Sequence, residues 1–382
     1  MTSITLTGTV RTRTSEETWE ALKPHIARLG ISRVARLTGL DYLGIPVWTA
    51  VRPNAHTLVT SQGKGATDTL AKISAVLESA ELFHAEQPLK ADIRATHRDL
   101  DLPYPMHALP VKIDHPALAD VALDWVTGHS LLSAEPVLVP ADVVRRKTHP
   151  SAAEPEVFHV TSNGLACGNT LPEATLHALL ETIERDVLHH DYVSGSQLRT
   201  LVDPVTVTDP YCRSLVDRFT SAGMWLEIAF VDNRYGVPVC AAYIWSEDYP
   251  ITFAGSGCHF DPQIALSRAL TEAAQSRLTC IAGTRDDLDV HENAFAADPE
   301  RPAPADIPVG DWSSLTHQFQ PEDDDLGQHL QAITARVAST TGYEPIAFPL
   351  HDSPAYAAVK VVSPGLEMRI IRSIPRAGSR RG

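Results

Sequence analysis

The chain has 382 residues, 43% of them hydrophobic, with a formal net charge of −15, long enough for a sizeable core in one large domain or two ordinary ones. The negative charge argues against nucleic acid or an anionic membrane as the main partner. Five cysteines with no C-x-x-C pair exclude the usual zinc and disulfide frameworks and fit a reducing cytoplasm.

Met1 to Arg13 is Thr-rich and strand-like, with no signal-peptide pattern, and no apolar run approaches the ~18–20 residues of a membrane span. SEETWEALKPHIAR reads as an N-capped helix broken near Pro24. Ile31 to Val51 reads as strand, turn, strand, and Gly63-Lys64-Gly65 as a turn leading into a helix over about 67–87. Residues 99–115 are a loop punctuated by Pro and His, and 121–148 holds short strands around Pro136 and Pro140. Val157–Val160 reads as a strand feeding SNGLACGNT and a helix over about 171–190. A helix within 205–223 precedes two alternating strands, MWLEIAFVD and VPVCAAYIW. Ile251–Phe253 then leads through GSGCHFDP into a helix over about 262–282. Residues 286–311, rich in Pro, Ala and Asp, read as a long loop and lid candidate. A helix near 326–341 and two strands, YEPIAFPL and AAVKVVSPGLE, follow, and 374–382 forms a flexible basic tail. Strands and helices interleave without a strict βαβ rhythm, so the fold class expected is α+β. No composition break divides the chain, so 1–382 is expected to be one domain.

Three of these helices carry acids at repeated offsets. Glu78 and Glu81 stand thirteen and sixteen residues past Gly65, and Glu181 and Glu184 stand equally far past Gly168. Glu272 and Gln275 repeat the spacing from His259, two residues past Gly257, and Ser74, His177 and Arg268 fill the ninth position of each copy. Steps of four and three residues put these positions on one helical face. Acids at i, i+3 are ordinarily a wet surface. Here apolar residues flank them, among them Ile73, Val76, Leu179, Ile183, Ala269 and Ala273, so the helices read as largely buried. Unpaired buried carboxylates are costly, and a stripe of them makes sense if they converge on cations. Oxygen-only ligands point to magnesium, and magnesium to a nucleotide.

The preceding turns add weaker signals. Gly63-Lys64-Gly65 lacks the Walker A spacing but stands before a helix N-terminus, where backbone N–H groups suit phosphate. Thr170 to Glu173 reads as a capping box, and Asp261-Pro262 as a cap followed by proline. Asn163 and Asn169 are left over as ligand donors. Arg185, Arg268 and Arg277 lie on or beside the acid faces, either to neutralise them or to grip phosphate oxygens. His189-His190-Asp191 makes no metal pattern.

Taken together, GKGATDTLAKISAVLESAE, SNGLACGNTLPEATLHALLETIERD, GSGCHFDPQIALSRALTEAAQSRL and VVSPGLE resemble the YcaO family, over about residues 30–367. The segment ISRVARLTGLDYLGIPVWTAVRPNA is similar to stand-alone YcaO proteins, including those that work with a TfuA partner. The resemblance implies a YcaO fold, mixed sheets with packed helices around a central ATP and Mg2+ site built from three strand, glycine-turn and helix units. It implies ATP-dependent phosphorylation of a peptide backbone amide in the maturation of a ribosomally made peptide. The product would be an azoline or (macro)amidine by cyclodehydration; a thioamide with sulfide and TfuA, or a silent YcaO-like scaffold, are the alternatives. The family's magnesium ligands fall on Glu78, Glu81, Glu181 and Glu184, and its nucleotide contacts on Lys64, Ser74, Asn169, Glu173, Arg185, Arg268 and Glu272. No catalytic residue is implied. The partners implied are a precursor peptide and either TfuA or a separate leader-binding protein, with a homodimer left open. The ending Ile374-Pro375-Arg376-Ala377-Gly378 has one proline where partner-assisted azoline formers carry Pro-x-Pro-x-Pro, and Ala166 replaces a Ser of some relatives.

Overall fold

The computed structural model describes residues 3–146, 156–285, 295, 300–319, 325–367, 374 and 376. The N-terminal segment pairs as a hairpin, β1 (Ile4–Leu6) with β2 (Thr9–Arg11). Helix α1 (Ser15–Leu22) starts from a reciprocal capping box between Thr14 and Glu17 and gives way to a 3-10 turn that contains Pro24. Strands β3 (Arg33–Arg36), β4 (Val47–Val51) and β5 (Thr60–Lys64) form an antiparallel sheet before α2 (Asp68–Ala85). Next come β6 (Ile93–Thr96), β7 (Ala122–Ser130), β8 (Pro136–Pro140), a one-turn α3 (Ala141–Val144), β9 (Leu165–Gly168) and α4 (Leu171–Val193). β10 (Arg199–Val202), α5 (Pro210–Ser221), β11 (Trp225–Val231), β12 (Val239–Ser246), β13 (Tyr249–Cys258) and α6 (Pro262–Ala282) follow. β14 (Val309–Gly310), α7 (Trp312–Thr316), α8 (Leu326–Thr341), β15 (Ile346–Asp352) and β16 (Ala357–Val362) complete the order.

A six-stranded sheet runs β6-β7-β15-β16-β9 with β8 paired to β7, and a five-stranded sheet runs β13-β12-β11-β10-β14. Among the described residues every pairing but β10 with β14 is antiparallel, so the fold is α+β. No helix among the described residues is long and apolar enough to cross a membrane.

Helices α2, α4 and α6 begin three residues past Gly65, Gly168 and His259, capped by Thr67, Thr170 and Asp261. Each helix packs on the strand that leads into it and also on the strand of the next unit. Thus α2 meets β5 and β9, α4 meets β9 and β13, and α6 meets β13 and β5. The three units close into a ring.

Gly63, Gly168, Gly255 and Gly257, expected in turns, lie instead within strands that the helices press against. A Cβ on Gly63 would stand 2.0 Å from the Ala75 amide nitrogen, and one on Gly255 would stand 2.2 Å from the Ala269 carbonyl oxygen. Only a bare α-carbon admits helix backbone at that range. A second correction concerns Val157–Val160, which forms no strand: Phe158 makes an isolated bridge to Val111. The strand that feeds α4 is LACG, because its backbone meets β16, with Ala357 opposite Gly168. Residues 286–294 and 296–299 of the lid candidate, and the tail apart from Ile374 and Arg376, lie outside the described residues.

Candidate functional site

The ring surrounds a half-open cavity of about 1880 Å³. All nine stripe residues line it: Ser74, Glu78 and Glu81 from α2, His177, Glu181 and Glu184 from α4, Arg268, Glu272 and Gln275 from α6. Lys64 and Arg185 line it as well. The shared offsets place the three stripes in one chamber because each helix leaves its strand at the same step.

The last position of each stripe stitches its helix to the next unit. Glu81 accepts from the Cys167 amide of β9 at 2.7 Å, and Glu184 accepts from the Ser256 hydroxyl of β13 at 2.5 Å. Gln275 donates through Nε2 to the Gln62 carbonyl of β5 at 3.2 Å. In the first two the partner is a donor and the helix supplies an acid; in the third it is a carbonyl and the helix supplies an amide. That is why the third copy carries Gln where the others carry Glu.

The acids crowd one another. Burial, then Lys64 and Arg285 pulling down against Glu272 and Glu181 pushing up, leave the Glu78 carboxyl at about 7. Burial and the Glu78 charge push Glu81 well above the carboxylate range, and burial raises Glu181. Glu272 goes the other way: burial opposes, but Lys64, whose Nζ donates to Oε2 at 2.7 Å, and Arg185 hold it down. Arg185 sits 3.6 Å from both Glu181 and Glu184. Burial would weaken its charge, yet those acids and Glu272 raise its pKa.

Arg268 faces a cationic corner. Its Nη2 lies 3.1 Å from His177 Nε2, and Arg11 of β2 bonds the same ring nitrogen. Burial and the neighbouring Arg11 lower Arg268 to about 10. Burial and the two guanidinium groups hold His177 well below its usual value, hence neutral. Two cations around a neutral imidazole make an anion site. Arg11 is a lining residue that the sequence reading missed, since it lies far from the repeated units and a lone Arg in a short strand carries no motif.

Other expectations are corrected. Asn169 and Glu173 do not line the cavity. Glu173 accepts from the Thr12 amide at 2.9 Å and hydroxyl at 2.7 Å, and from the Asn169 amide at 3.2 Å, while Thr18 donates to Asn169 Oδ1 at 2.8 Å. Both residues tie the N-terminal segment to α4. Arg277 is buried between Asp41 at 3.1 Å and Asp248 at 3.0 Å, away from the cavity. Asn163 does line it.

Among the described residues no three His, Cys, Asp or Glu side chains are grouped closely enough to hold one metal ion. Magnesium does not require such a cage. It keeps several waters and takes one or two carboxylates together with nucleotide phosphates. Two observations fit that use. Glu78, Glu81 and Glu181 all resist ionising in this chamber, which a divalent cation would relieve. Arg185 Nε is buried with no partner, and a phosphate oxygen would satisfy it.

A family model described as YcaO cyclodehydratase, ATP- and Mg2+-binding, matches residues 62–367. The chain belongs to the YcaO family. It is 38% identical over 383 residues to an uncharacterised protein of Mycobacterium tuberculosis, covering 94% of this chain and 83% of that one. It is 33% identical to an uncharacterised protein in the tfuA 3′ region of Rhizobium leguminosarum bv. trifolii, over 97% of this chain and 91% of the relative. In fold it resembles the YcaO of Methanopyrus kandleri bound with AMPPCP and Mg2+, with a TM-score of 0.73 at 23% identity over 96% of this chain and 95% of that one. It also resembles a heterocyclase in complex with substrate and cofactor, with a TM-score of 0.74 at 20% identity, covering 96% of this chain. The chain spans 54% of that heterocyclase. This YcaO chain therefore carries the fold of a family that binds ATP and Mg2+.

Proposed function

We propose that this YcaO protein uses ATP to phosphorylate a backbone amide of a ribosomally made precursor peptide, giving an azoline or (macro)amidine by cyclodehydration. The observation that carries the reading is the ring chamber, where five glutamates from three helices meet Lys64, Arg185, Arg268 and Arg11. Phosphoryl transfer asks a protein mainly to position groups and neutralise charge, and this residue set supplies both. Glu78, Glu81, Glu181 and Glu184 are the magnesium ligands in this reading. Magnesium, when bound, neutralises and orients the triphosphate. Arg268 and Arg11 hold phosphate oxygens at the cationic corner, Arg185 offers its unpartnered Nε, and Lys64 and Ser74 complete the nucleotide side. Glu272 orients Lys64. Asn169 and Glu173 act at one remove, by fixing the segment that carries Arg11.

A second reading has specific support. The Rhizobium relative lies in a tfuA 3′ region, which favours a TfuA partner and sulfide as nucleophile, with a thioamide as product. Both readings place the protein in the cytoplasm beside its precursor.

The test is the intact mass of a short peptide encoded beside the gene, incubated with this protein, ATP and Mg2+. Loss of one water per modified site marks cyclodehydration, and tandem fragmentation separates azoline from amidine. Exchange of oxygen for sulfur, requiring sulfide and the partner, marks thioamidation. An unchanged mass with no ATP consumed would leave the scaffold alternative standing.

A further inference from the structure

Helix α4 runs along the chamber. Five of its six lining residues, His177, Glu181, Arg185, His189 and Tyr192, recur at steps of three and four, hence on one face, and climb roughly 1.5 Å per residue. Their order is a chemical sequence. His177 sits at the cationic corner between Arg11 and Arg268, and Glu181 and Arg185 lie in the acidic middle. His189 and Tyr192 lie beyond, where Tyr243 and Ile374 also line the wall. Tyr243 is tied to that end of α4, because Arg199 bonds both its hydroxyl and Asp191. At about 1880 Å³ the chamber exceeds the ~300–1,000 Å³ of ordinary small-molecule pockets, leaving room for a peptide at this aromatic end beside a nucleotide at the charged one.

A nucleophile attacking an amide must lose a proton where peptide and nucleotide meet. Among the described residues, two histidines line the chamber, His177 and His189. His177 is held by two guanidinium groups and cannot take a proton near neutrality. Burial pushes the thiols of Cys167 and Cys258 well up and raises that of Cys280, so none of the three lining cysteines offers a thiolate. The glutamates face cations or one another. His189 differs: it is one turn past Arg185, about 6 Å along the axis. Its side chain is 18% exposed, and its Nε2 lies 3.8 Å from Glu367 Oε2.

We propose that His189 is the general base of the reaction, with Glu367 as its positioning carboxylate. The inference rests on the function proposed above. The nucleophile, an X–H group on sulfur, oxygen or nitrogen, gives its proton to the imidazole while its electron pair forms the bond to the amide carbon. The carbonyl π pair moves onto oxygen, which takes the γ-phosphoryl group of ATP, and ADP departs. For ring closure, phosphate then leaves with the carbon–oxygen bond pair, the nitrogen lone pair makes the C=N bond, and the amide N–H proton passes to solvent. Glu367 stabilises the imidazolium formed in the first step.

The experiment compares the wild-type protein with His189→Gln and His189→Ala. One readout is affinity for AMPPCP with Mg2+, and the other is single-turnover modification of the synthetic peptide encoded beside the gene. Both variants are expected to bind AMPPCP within about twofold of wild type and to modify peptide about 10²–10⁴-fold more slowly. Added imidazole is expected to restore part of the rate of His189→Ala, which a structural role would not allow. A variant that modifies peptide at the wild-type rate, or both losing AMPPCP binding along with activity, overturns the assignment of His189 alone. A wild-type protein that neither binds AMPPCP with Mg2+ nor modifies the peptide overturns the proposed function, and this inference with it.

Discussion

At the scale of residues, the chamber is a set of charges that disagree until something joins them. Glu78 titrates near 7 rather than 4.5, chiefly through burial. Between those values the folded protein keeps a proton that the unfolded chain has lost, so ligand-free stability falls as pH rises through that window. Cation binding needs the carboxylate and must expel that proton. Calorimetry near pH 6.5 in buffers of different ionisation enthalpy is therefore expected to show release of at least roughly half a proton when Mg2+ and AMPPCP bind, Glu81 and Glu181 adding to the Glu78 share, and tighter binding as pH approaches 7.5. Glu78→Gln keeps the volume, lowers that release by the Glu78 share and abolishes ATP turnover while the protein stays folded. Equal proton release by variant and wild type would remove Glu78 from the magnesium set. The offsets of these acids were legible in the sequence. Their mutual repulsion was not, because it depends on distances between helices that the chain does not encode locally.

At the scale of elements, the unit is a strand with a helix seated directly on its glycines. Gly255→Ala forces a methyl group to within 2.2 Å of the Ala269 carbonyl and 2.3 Å of the Ala273 nitrogen, backbone atoms that cannot step aside. It is expected to cost about 3 kcal/mol or more in a denaturant titration. Gly39→Ala, with nothing within 4 Å, is expected to change little, and similar behaviour of the two would refute close approach as the reason for glycine. Gln275→Glu sets a carboxylate against the Gln62 carbonyl in place of the amide donor. A loss of about 1–3 kcal/mol is expected, read as a lowered midpoint, whereas the stitch is unimportant if the midpoint holds. Helix bounds were readable where caps are strong, as with Asp261-Pro262 and Gly283 around α6. The glycines were misread as turns, since the same residue serves a tight turn and a close packing contact.

At the scale of the whole molecule, the ring depends on segments far from it in sequence. The N-terminal hairpin supplies Arg11 to the cationic corner and Thr12 to Glu173, which is 2% exposed. Strand β16, near the other end, holds β9 in register. Removing residues 1–12 strips Glu173 of its two Thr12 donors and of the Arg11 guanidinium, whose Nε lies 3.6 Å from Glu173 Oε1. Stability is expected to fall by about 2–4 kcal/mol, and affinity for Mg2+ with AMPPCP by at least about tenfold. A truncated protein that binds the nucleotide as well as the full chain would show that Arg11 is a structural contact only.

The sequence by itself determined the α+β class, the bounds of the main helices, the three acid stripes and their common face, and the family. Each follows from spacing within one element or from motifs in order along the chain. Tertiary structure alone decided that the three helices close a ring, that Arg11 joins Arg268, that Asn169 and Glu173 serve the N-terminal segment, and that Arg277 belongs to Asp41 and Asp248. It also decided that His189, set aside in the sequence as part of a run with no metal pattern, lines the chamber. Those facts depend on which strand a helix meets next, and contacts between separate elements of the chain leave no period in the sequence to read.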